Sequence, residues 1–418
     1  MEAETGIKQQ TTGPNPAEIT RLINLAERLQ EGLRTSQREH DDLGTYSPSL
    51  HQQFHEHGFY RLLLPRRYGG FEVSLKDYYR VMIAIARGHP AIGWNLTLGA
   101  AHGLLVASHW PEAVQDELFD KQNYFVAPHR AFPDGRCHRV NNGFMVEGVF
   151  RYCTGITYST HLIVNTLYSE SDGAPAKSIN CIIPRKNYEI LDDWGGDRTL
   201  GMRASGSNSA RVAATFIPER MTVPFSGFYA NQDVSQGSIG TQLHKNPLYL
   251  GYLMVPYHAN LVAPVIGAAK AALDEYQTIL QTRPTTLCSS LRREDDNFYQ
   301  QLFGQALVLT EAAEAILLQV CDQQRELGER WQRTAKPISL SENVKGWGAL
   351  QQAGRLACDA IELLFHTAGS SETRKDARLL RYFTDAQMYR SHTGSQWESF
   401  SAYVGRAQLG KPLDFLNL

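Results

Sequence analysis

The sequence has no excess of either charge and no dense cationic run. Its 41 lysines and arginines nearly balance 43 aspartates and glutamates, which leaves a formal net charge of -2 over 418 residues. Surfaces that bind nucleic acid or anionic lipid concentrate positive charge, so we expect neither as a partner. No apolar run as long as a membrane span is evident, and the N-terminus, MEAETGIKQQTTGPNP, lacks the apolar core of a secretion signal. We therefore expect a cytoplasmic protein with a disordered lead-in over residues 1–16.

Paired cysteines and the common nucleotide and metal motifs are also missing. None of the six cysteines forms a C-x-x-C pair, which argues against a disulfide framework or a zinc knuckle and fits a reducing compartment. Neither G-x-G-x-x-G before a helix nor a P-loop motif occurs, so we expect neither a Rossmann site nor a P-loop site. His51 and His55 stand four apart in HQQFHEH, but no third ligand accompanies them. A polar helix face is the better interpretation, and we predict no metal site.

The periodicity of apolar residues divides the chain into three parts. Residues 17–121 have helical spacing, residues 122–230 are rich in strand-like segments, and residues 231–418 return to long helical patterns. NNG at residues 141–143 is typical of a hairpin turn. Four long helical segments in the last part favour an antiparallel bundle.

One strand-like stretch, GVFRYCTGITYSTHLIVN at residues 148–165, is interrupted by a small polar turn. Cys153, Thr154 and Gly155 form the break, and Tyr152 and Tyr158 flank it. Turns need glycine and strands favour tyrosine, so an ordinary connection explains the pattern. The alternative is that a flat aromatic ligand lies against the turn.

Five segments in order resemble one protein family: HPAIGWNLTLGAAH, VFRYCTGITYSTH, TLGMRASGS, FHTAGSS and RYFTDAQMYRSH. They are similar to the group D flavin-dependent monooxygenases, the oxygenase components of two-component systems, which include p-hydroxyphenylacetate hydroxylases, antibiotic-pathway hydroxylases and nitrososynthases. The resemblance spans nearly the whole chain from about residue 20. It implies an α+β, mostly α, acyl-CoA dehydrogenase-like fold, with an N-terminal helical domain, a β-barrel-like domain and a C-terminal four-helix bundle.

The resemblance also implies a reaction and its participants. Reduced FMN or FAD, supplied by a separate NAD(P)H:flavin reductase, would react with oxygen to a C4a-hydroperoxide that hydroxylates a phenolic or polycyclic aromatic molecule. Such chemistry needs a dry cavity and a few fixed hydrogen-bond donors. The pathway would be secondary metabolism or aromatic catabolism. The family assembles as a homotetramer, a dimer of dimers, and completes the flavin site between subunits.

Three residues match the family's catalytic positions. Thr154 would donate to the reactive edge of the flavin, His392 would lie beside the peroxide, and His102 would accept the proton of a substrate phenol. The alternative for Thr154 is an ordinary turn residue, and the alternative for each histidine is a structural residue within a helix. The expected substrate-binding residues are Trp94, His102, Tyr158 and His392, although Trp94 also suits a hydrophobic core.

The candidates for holding flavin fall in three segments. Small residues allow close approach of the backbone to a phosphate, and arginine provides a forked donor. The glycine of TAGSS has an ordinary alternative role as a helix cap. The candidates are Tyr152, Cys153, Thr154, Trp194, Arg203, Ser205, Ser207, Arg283, Thr367, Gly369, Ser370 and Ser371.

Two positions depart from the family pattern, and two other activities compete. Thr154 stands where relatives often have serine, and Thr384 stands where they often have arginine before Asp385.

An acyl-CoA dehydrogenase would need a carboxylate base beside the flavin, for which Asp376 is the candidate, although ETRKDARLL also suits a solvated loop. An N-oxygenase would keep the flavin chemistry and oxidise an amine. A non-catalytic scaffold with the same fold is the third alternative.

Overall fold

The computed structural model describes residues 16–119, 124–171, 173–225, 234, 236–285 and 288–413. Helices form the first and last thirds of this part of the chain, and strands form the middle third. The predicted fold class, α+β and mostly α, is therefore confirmed. The predicted lead-in lies outside the described residues except for Pro16, which begins the first helix.

Six helices make up the first part, and serine caps begin two of them. The side chain of Ser47 accepts from Leu50 N, and that of Ser74 accepts from Asp77 N, which satisfies amides that a helix leaves free. Every residue of the fifth helix except Leu98 and His109 is buried, as its apolar composition predicts. The helices are α1 Pro16–Thr35, α2 Gln37–Leu43, α3 Pro48–His57, α4 Leu75–Gly88, α5 Pro90–His109 and α6 Glu112–Phe119.

Eight strands of the described chain form two four-stranded sheets. The strands are β1 His129–Arg130, β2 Arg136–Val140, β3 Gly143–Phe150, β4 His161–Tyr168, β5 Lys177–Pro184, β6 Glu189–Ile190, β7 Ala210–Pro218 and β8 Thr222–Pro224. One sheet has the order β1-β4-β5-β8 and the other β2-β3-β7-β6. The predicted hairpin joins β2 to β3, with Asn142 at a φ of 58°.

The interrupted stretch is the crossing between these two sheets. β3 ends at Phe150 in one sheet, and β4 begins at His161 in the other. A continuous strand would have kept both segments in one sheet, so the polar turn has an architectural reason. It is also the point at which the middle part meets α5.

The last part consists of α7 Ile239–His244, α8 Met254–Thr282, α9 Asn297–Thr334, α10 Leu340–Ala368, α11 Arg378–Arg390 and α12 Trp397–Gln408. α8 packs against α4, α5, α9 and α10, and thus joins the bundle to the first part. The sequence predicts one helix across residues 381–405, but the structure has two. The chain leaves the helical path at His392, which is extended, and a short 3-10 turn at residues 393–395 separates α11 from α12.

α9 is the one described helix whose length and composition would suit a membrane span. This is weak evidence for a span, because helices of protein cores pass the same test. Only 28% of its most apolar window is buried within the chain. α9 therefore leaves apolar residues, among them Phe298, Leu307 and Val308, uncovered by the rest of the described chain.

Candidate functional site

The turn at Thr154 offers a backbone donor with no partner among the described residues. Cys153 N donates to Asn208 O at 3.2 Å, and Gly155 N donates to Gly206 O at 3.0 Å. The amide of Thr154, between them, makes no hydrogen bond to the described chain. Cys153 itself is fully buried, and burial raises the pKa of its thiol to about 12, so its side chain is inert.

The hydroxyl of Thr154 belongs to a short chain of hydroxyl groups. Thr154 Oγ1 lies 2.8 Å from Ser207 Oγ, which lies 2.7 Å from Ser205 Oγ. The structure thus brings together three residues that the sequence only suggested separately. With the free amide, the half-buried hydroxyl of Thr154 forms a donor pair at one point, which suits a ring carbonyl and a ring nitrogen.

Aromatic side chains stand beside this donor pair. The ring of Tyr152 is 65% exposed and meets the ring of Trp194 edge-on at 6.0 Å. Tyr152 has a φ of 60°, an uncommon conformation for a non-glycine residue. Trp194 Nε1 donates to Met202 O at 3.0 Å, immediately before Arg203. A planar ligand would therefore meet polar donors and aromatic surface together.

The turn rests on α5, and this contact requires glycine. Gly155 has a φ of 82°, and an added Cβ would lie 3.2 Å from Asn95 Oδ1 and 3.4 Å from the Cα of Gly99. Asn95 also donates to Ala204 O at 3.3 Å, so the same side chain supports the neighbouring loop. Asn95 and Gly99 lie on the helix between Trp94 and His102, which brings these residues to one region.

His102 is buried and neutral, with a defined tautomer. Its Nδ1 lies 2.7 Å from the carbonyl oxygen of Ala127, so Nδ1 must carry the proton and Nε2 must be the acceptor. Burial lowers the pKa of His102 to about 4. Nε2 has no hydrogen bond to the described residues. His102 can therefore accept a hydrogen bond at neutral pH.

Sequence analysis missed the residues that surround His102. The ring of His129 lies edge-on to His102 at 5.6 Å, and that of Tyr257 lies 5.2 Å away. His129 Nδ1 is 2.9 Å from the hydroxyl of Tyr257, and its Nε2 is 3.1 Å from Asn180 Oδ1. These residues lie on β1, α8 and β5, so no local motif in the sequence connects them.

The predicted helical position of His392 is wrong. His392 precedes the 3-10 turn after α11, and its Nδ1 accepts from Gly394 N at 2.9 Å. Its ring meets Trp94 edge-on at 5.7 Å, which unites two predicted site residues. Surrounding protein lowers the pKa of His392 to about 4, although the residue keeps exposed surface. Trp94 is 5% exposed and also contacts Tyr389, so it belongs to the core as well.

A second group of predicted flavin residues meets elsewhere, where α8 and α10 end. Arg283 Nη1 donates to Ser371 Oγ at 2.7 Å, and its Nη2 lies 2.6 Å from Glu372. Thr367 Oγ1 is 2.9 Å from the hydroxyl of Tyr276. Gly369 ends α10 with a φ of 107° and Ser370 follows it, as the cap interpretation predicts. Among the described residues, no hydrogen bond joins this group to the turn at Thr154.

An arginine that the sequence did not suggest contacts the end of α10 from the segment before α9. Arg293 is 8% exposed, and its Nη1 donates to Ala368 O at 2.6 Å. An added Cβ on Gly369 would lie 3.4 Å from the same guanidinium. Its buried position in the folded chain reveals it, since no motif in the sequence marks it.

Tyr158 is held by a hydrogen bond and a ring contact within the chain. Its hydroxyl donates to Tyr46 O at 2.9 Å, and its ring stacks on His51 at 4.1 Å. His51 Nδ1 also lies 2.7 Å from the hydroxyl of Tyr60. His51 therefore belongs to an aromatic cluster.

The described residues contain no group of three or more side chains that could hold a metal ion.

The two aspartates near the C-terminal end differ in environment. Asp376 is exposed and lies 3.5 Å from Arg374, as the solvated-loop interpretation predicts. Asp385 is buried, and desolvation, followed by the charge of Asp41, raises its pKa to about 7. Its Oδ1 accepts a short hydrogen bond from Met202 N. The dehydrogenase alternative thus has its candidate base on the surface.

A cavity of about 820 Å³ lies on the opposite face of α5. Leu104 and Ser108 line it together with residues of α9 and the segment before α8. On a helix these positions point away from Asn95 and His102. The cavity is therefore separate from the groups around Thr154.

Comparison with known families gives two matches along the chain. The acyl-CoA dehydrogenase N-terminal domain matches residues 24–117, and the acyl-CoA dehydrogenase C-terminal domain matches residues 259–397. Together they bracket the strand-rich part. The two matches agree with the helical domains of the structure.

Individual proteins are similar over most of the chain. The flavin-dependent monooxygenase oxygenase subunit HsaA of Rhodococcus jostii is 23% identical, over 91% of this chain and 96% of the relative. The oxygenase component of p-hydroxyphenylacetate 3-hydroxylase from Acinetobacter baumannii is 24% identical, over 86% and 82%. The structure of XiaF from Streptomyces sp. in complex with FADH2 and glycerol has a TM-score of 0.85 at 20% identity, over 94% of this chain and 96% of that one.

Proposed function

Because this chain belongs to the flavin-dependent monooxygenases of the acyl-CoA dehydrogenase fold, we propose that it hydroxylates a small phenolic molecule. Bound reduced flavin would supply two electrons and the activation of oxygen. The protein would then contribute binding, orientation and the exclusion of water. A separate reductase would deliver the flavin, as the two-component relatives suggest.

The residues of the turn fit a flavin ring. The unpaired amide of Thr154 and its hydroxyl would donate to the polar edge of the ring, with Ser205 and Ser207 fixing the hydroxyl. Trp194 and the exposed ring of Tyr152 would cover the apolar part of the cofactor. Arg203 would offer its guanidinium to the phosphate.

The group around Arg283 would serve a flavin held by a neighbouring subunit. Arg283, Thr367 and Ser371 lie together but apart from Thr154 in one protomer. Glu372 already neutralises part of the Arg283 charge, so the buried Arg293 is the stronger phosphate candidate here. The group offers backbone at Gly369 and Ser370 for the same purpose.

His102 would bind the phenol. The one observation that carries this proposal is the bond from Nδ1 to Ala127 O, which leaves Nε2 as a fixed acceptor in a buried setting. A phenol that donates to Nε2 becomes more electron-rich at its ortho carbon. His129 and Tyr257 would shape the pocket and Trp94 would close it toward His392. Tyr158 would act indirectly, through the aromatic cluster.

His392 would donate a hydrogen bond from Nε2 at the oxygen-activating edge of the flavin. Its low pKa keeps it neutral at physiological pH, so Nε2 carries the proton while Nδ1 accepts from Gly394 N. A neutral imidazole can stabilise a developing negative charge through a hydrogen bond while it keeps its own proton.

We test the proposed function by product analysis. Chemically reduced FMN or FAD, oxygenated buffer and a panel of phenols are mixed with the protein, and products are identified by mass spectrometry. An added oxygen atom from labelled oxygen in a catechol supports the proposal. Oxygen transfer only to amines offered in place of the phenols would identify the N-oxygenase alternative. Anaerobic bleaching of oxidised flavin by acyl-CoA would identify the dehydrogenase.

We further propose a cytoplasmic homotetramer built as a dimer of dimers. Val308 is 64% exposed and Phe298 is 58% exposed on α9, so an extensive apolar surface is left uncovered by the protomer. Surfaces of this kind mark protein interfaces. Packing α9 against a second copy would bury it and bring the Arg283 group near another subunit's flavin. Light scattering at micromolar concentration tests the assembly, and a clean monomer would contradict it.

A further inference from the structure

We infer that Asp385 is a positioning residue that sets the flavin-binding loop from the helical bundle. This inference rests on the proposed function. Asp385 lies on α11, and its carboxylate accepts from Met202 N in the loop of residues 199–207. This loop contains Arg203, Ser205 and Ser207 of the proposed flavin site.

Met202 needs a partner to hold its conformation. It has a φ of 50°, in the left-handed region that residues with a side chain seldom adopt. The hydrogen bond from its amide to Asp385 satisfies a buried donor, and its carbonyl accepts from Trp194 Nε1 at 3.0 Å. Both polar groups of its backbone are therefore fixed by side chains.

The residue before Met202 docks directly on the same helix. An added Cβ at Gly201 would overlap the carbonyl oxygen of Thr384, so the loop lies against the backbone of α11 at this point. Thr384, which differs from the family pattern, therefore lies at the contact between the loop and α11. Thr384 Oγ1 donates to Arg381 O at 3.0 Å within the same helix.

The position of the loop determines the position of the turn. Gly206 O accepts from Gly155 N at 3.0 Å, and Asn208 O accepts from Cys153 N at 3.2 Å. Ser207 holds the hydroxyl of Thr154. If Met202 moved, the following residues of the loop would move with it, and their hydrogen bonds would shift the amide and hydroxyl of Thr154.

Charged residues of α2, α11 and the loop surround Asp385. Asp41 is 4% exposed, and its Oδ2 lies 2.9 Å from Arg381 Nε. Burial and the charge of Asp41 raise the pKa of Asp385, and Arg381, one helical turn before it, and Arg203 oppose this shift in part. The buried cluster therefore joins α2, α11 and the loop.

Three variants test the inference. Asp385→Leu keeps the shape but removes the acceptor, Asp385→Asn keeps an acceptor oxygen, and Asp376→Leu is the matched control on the exposed aspartate. Titration with anaerobically reduced FMN and FAD measures affinity, and hydrogen–deuterium exchange measures protection of residues 199–207. We expect Asp385→Leu to weaken flavin binding about tenfold and to expose the loop, because it leaves a buried amide unpaired. Asp385→Asn and the control should stay within about threefold of the wild type.

The outcomes separate this inference from the proposed function. If the wild type binds no reduced flavin, the proposed function fails, and loop exchange alone still decides the role of Asp385. If loop exchange and flavin affinity are the same in both Asp385 variants and the wild type, Asp385 does not position the loop. Should Asp385→Leu not fold, Gly201→Ala perturbs the same contact from the loop side. Unchanged exchange and affinity in that variant would overturn the inference.

Discussion

The role of His102 can be tested through the acidity of the substrate. Asn is the informative replacement, because its amide nitrogen can still donate to Ala127 O while the acceptor at the Nε2 position is lost. His102→Asn should therefore keep the local fold and reduced-flavin affinity. It should slow hydroxylation of a phenol that is neutral at the assay pH.

The structure limits the size of this effect. A phenol with a pKa of about 10 would transfer its proton to an imidazole whose pKa is about 4 at a cost of roughly 8 kcal/mol. Full deprotonation before the reaction is thus unfavourable, and we expect His102 to act by accepting the hydrogen bond as electron density leaves the ring. We expect a loss of about 10²-fold, the low end of general-base effects.

The assay compares two acceptors of similar shape in single-turnover product formation. One is a neutral phenol, and the other is a nitrophenol that is already ionised at pH 8. His102→Asn should be slow with the first and within about threefold of wild type with the second. For the wild type, activity due to His102 should be lost only as the pH falls through about 4, because protonation of Nε2 removes the acceptor. Equal rates of the variant and wild type with the neutral phenol would refute the reasoning.

Three further predictions concern neighbouring groups. Thr154→Ser should preserve reduced-flavin affinity, whereas Thr154→Ala should weaken it about tenfold, measured by anaerobic titration; equal affinities would remove the hydroxyl from the site. His392→Ala should increase hydrogen peroxide released per reduced flavin by accelerating uncoupling about 10²-fold, with affinity unchanged; unchanged coupling would assign His392 a structural role. Val308→Glu should dissociate the assembly in light scattering, because it places a charge in the proposed α9 interface, and an intact tetramer would place the interface elsewhere.

Local patterns in the sequence were sufficient to predict the order of the helical and strand-rich parts along the chain. Helical spacing, serine caps and the NNG hairpin depend on residues close together in the chain, so they can be read without tertiary information. The small hydroxyl-bearing turn and the segment of Ser205 and Ser207 also stood out by composition. The resemblance to a family then joined these segments into one expected site.

Tertiary packing decided which groups meet and which stay apart. The partners of His102 come from β1 and α8, Asp385 reaches Met202 from another domain, and the Arg283 group lies away from Thr154. His392 left its predicted helix because the chain turns there, with Gly394 N donating to the imidazole. These contacts join residues far apart in sequence, and their geometry follows from how the helices and sheets pack against one another, which no local periodicity encodes.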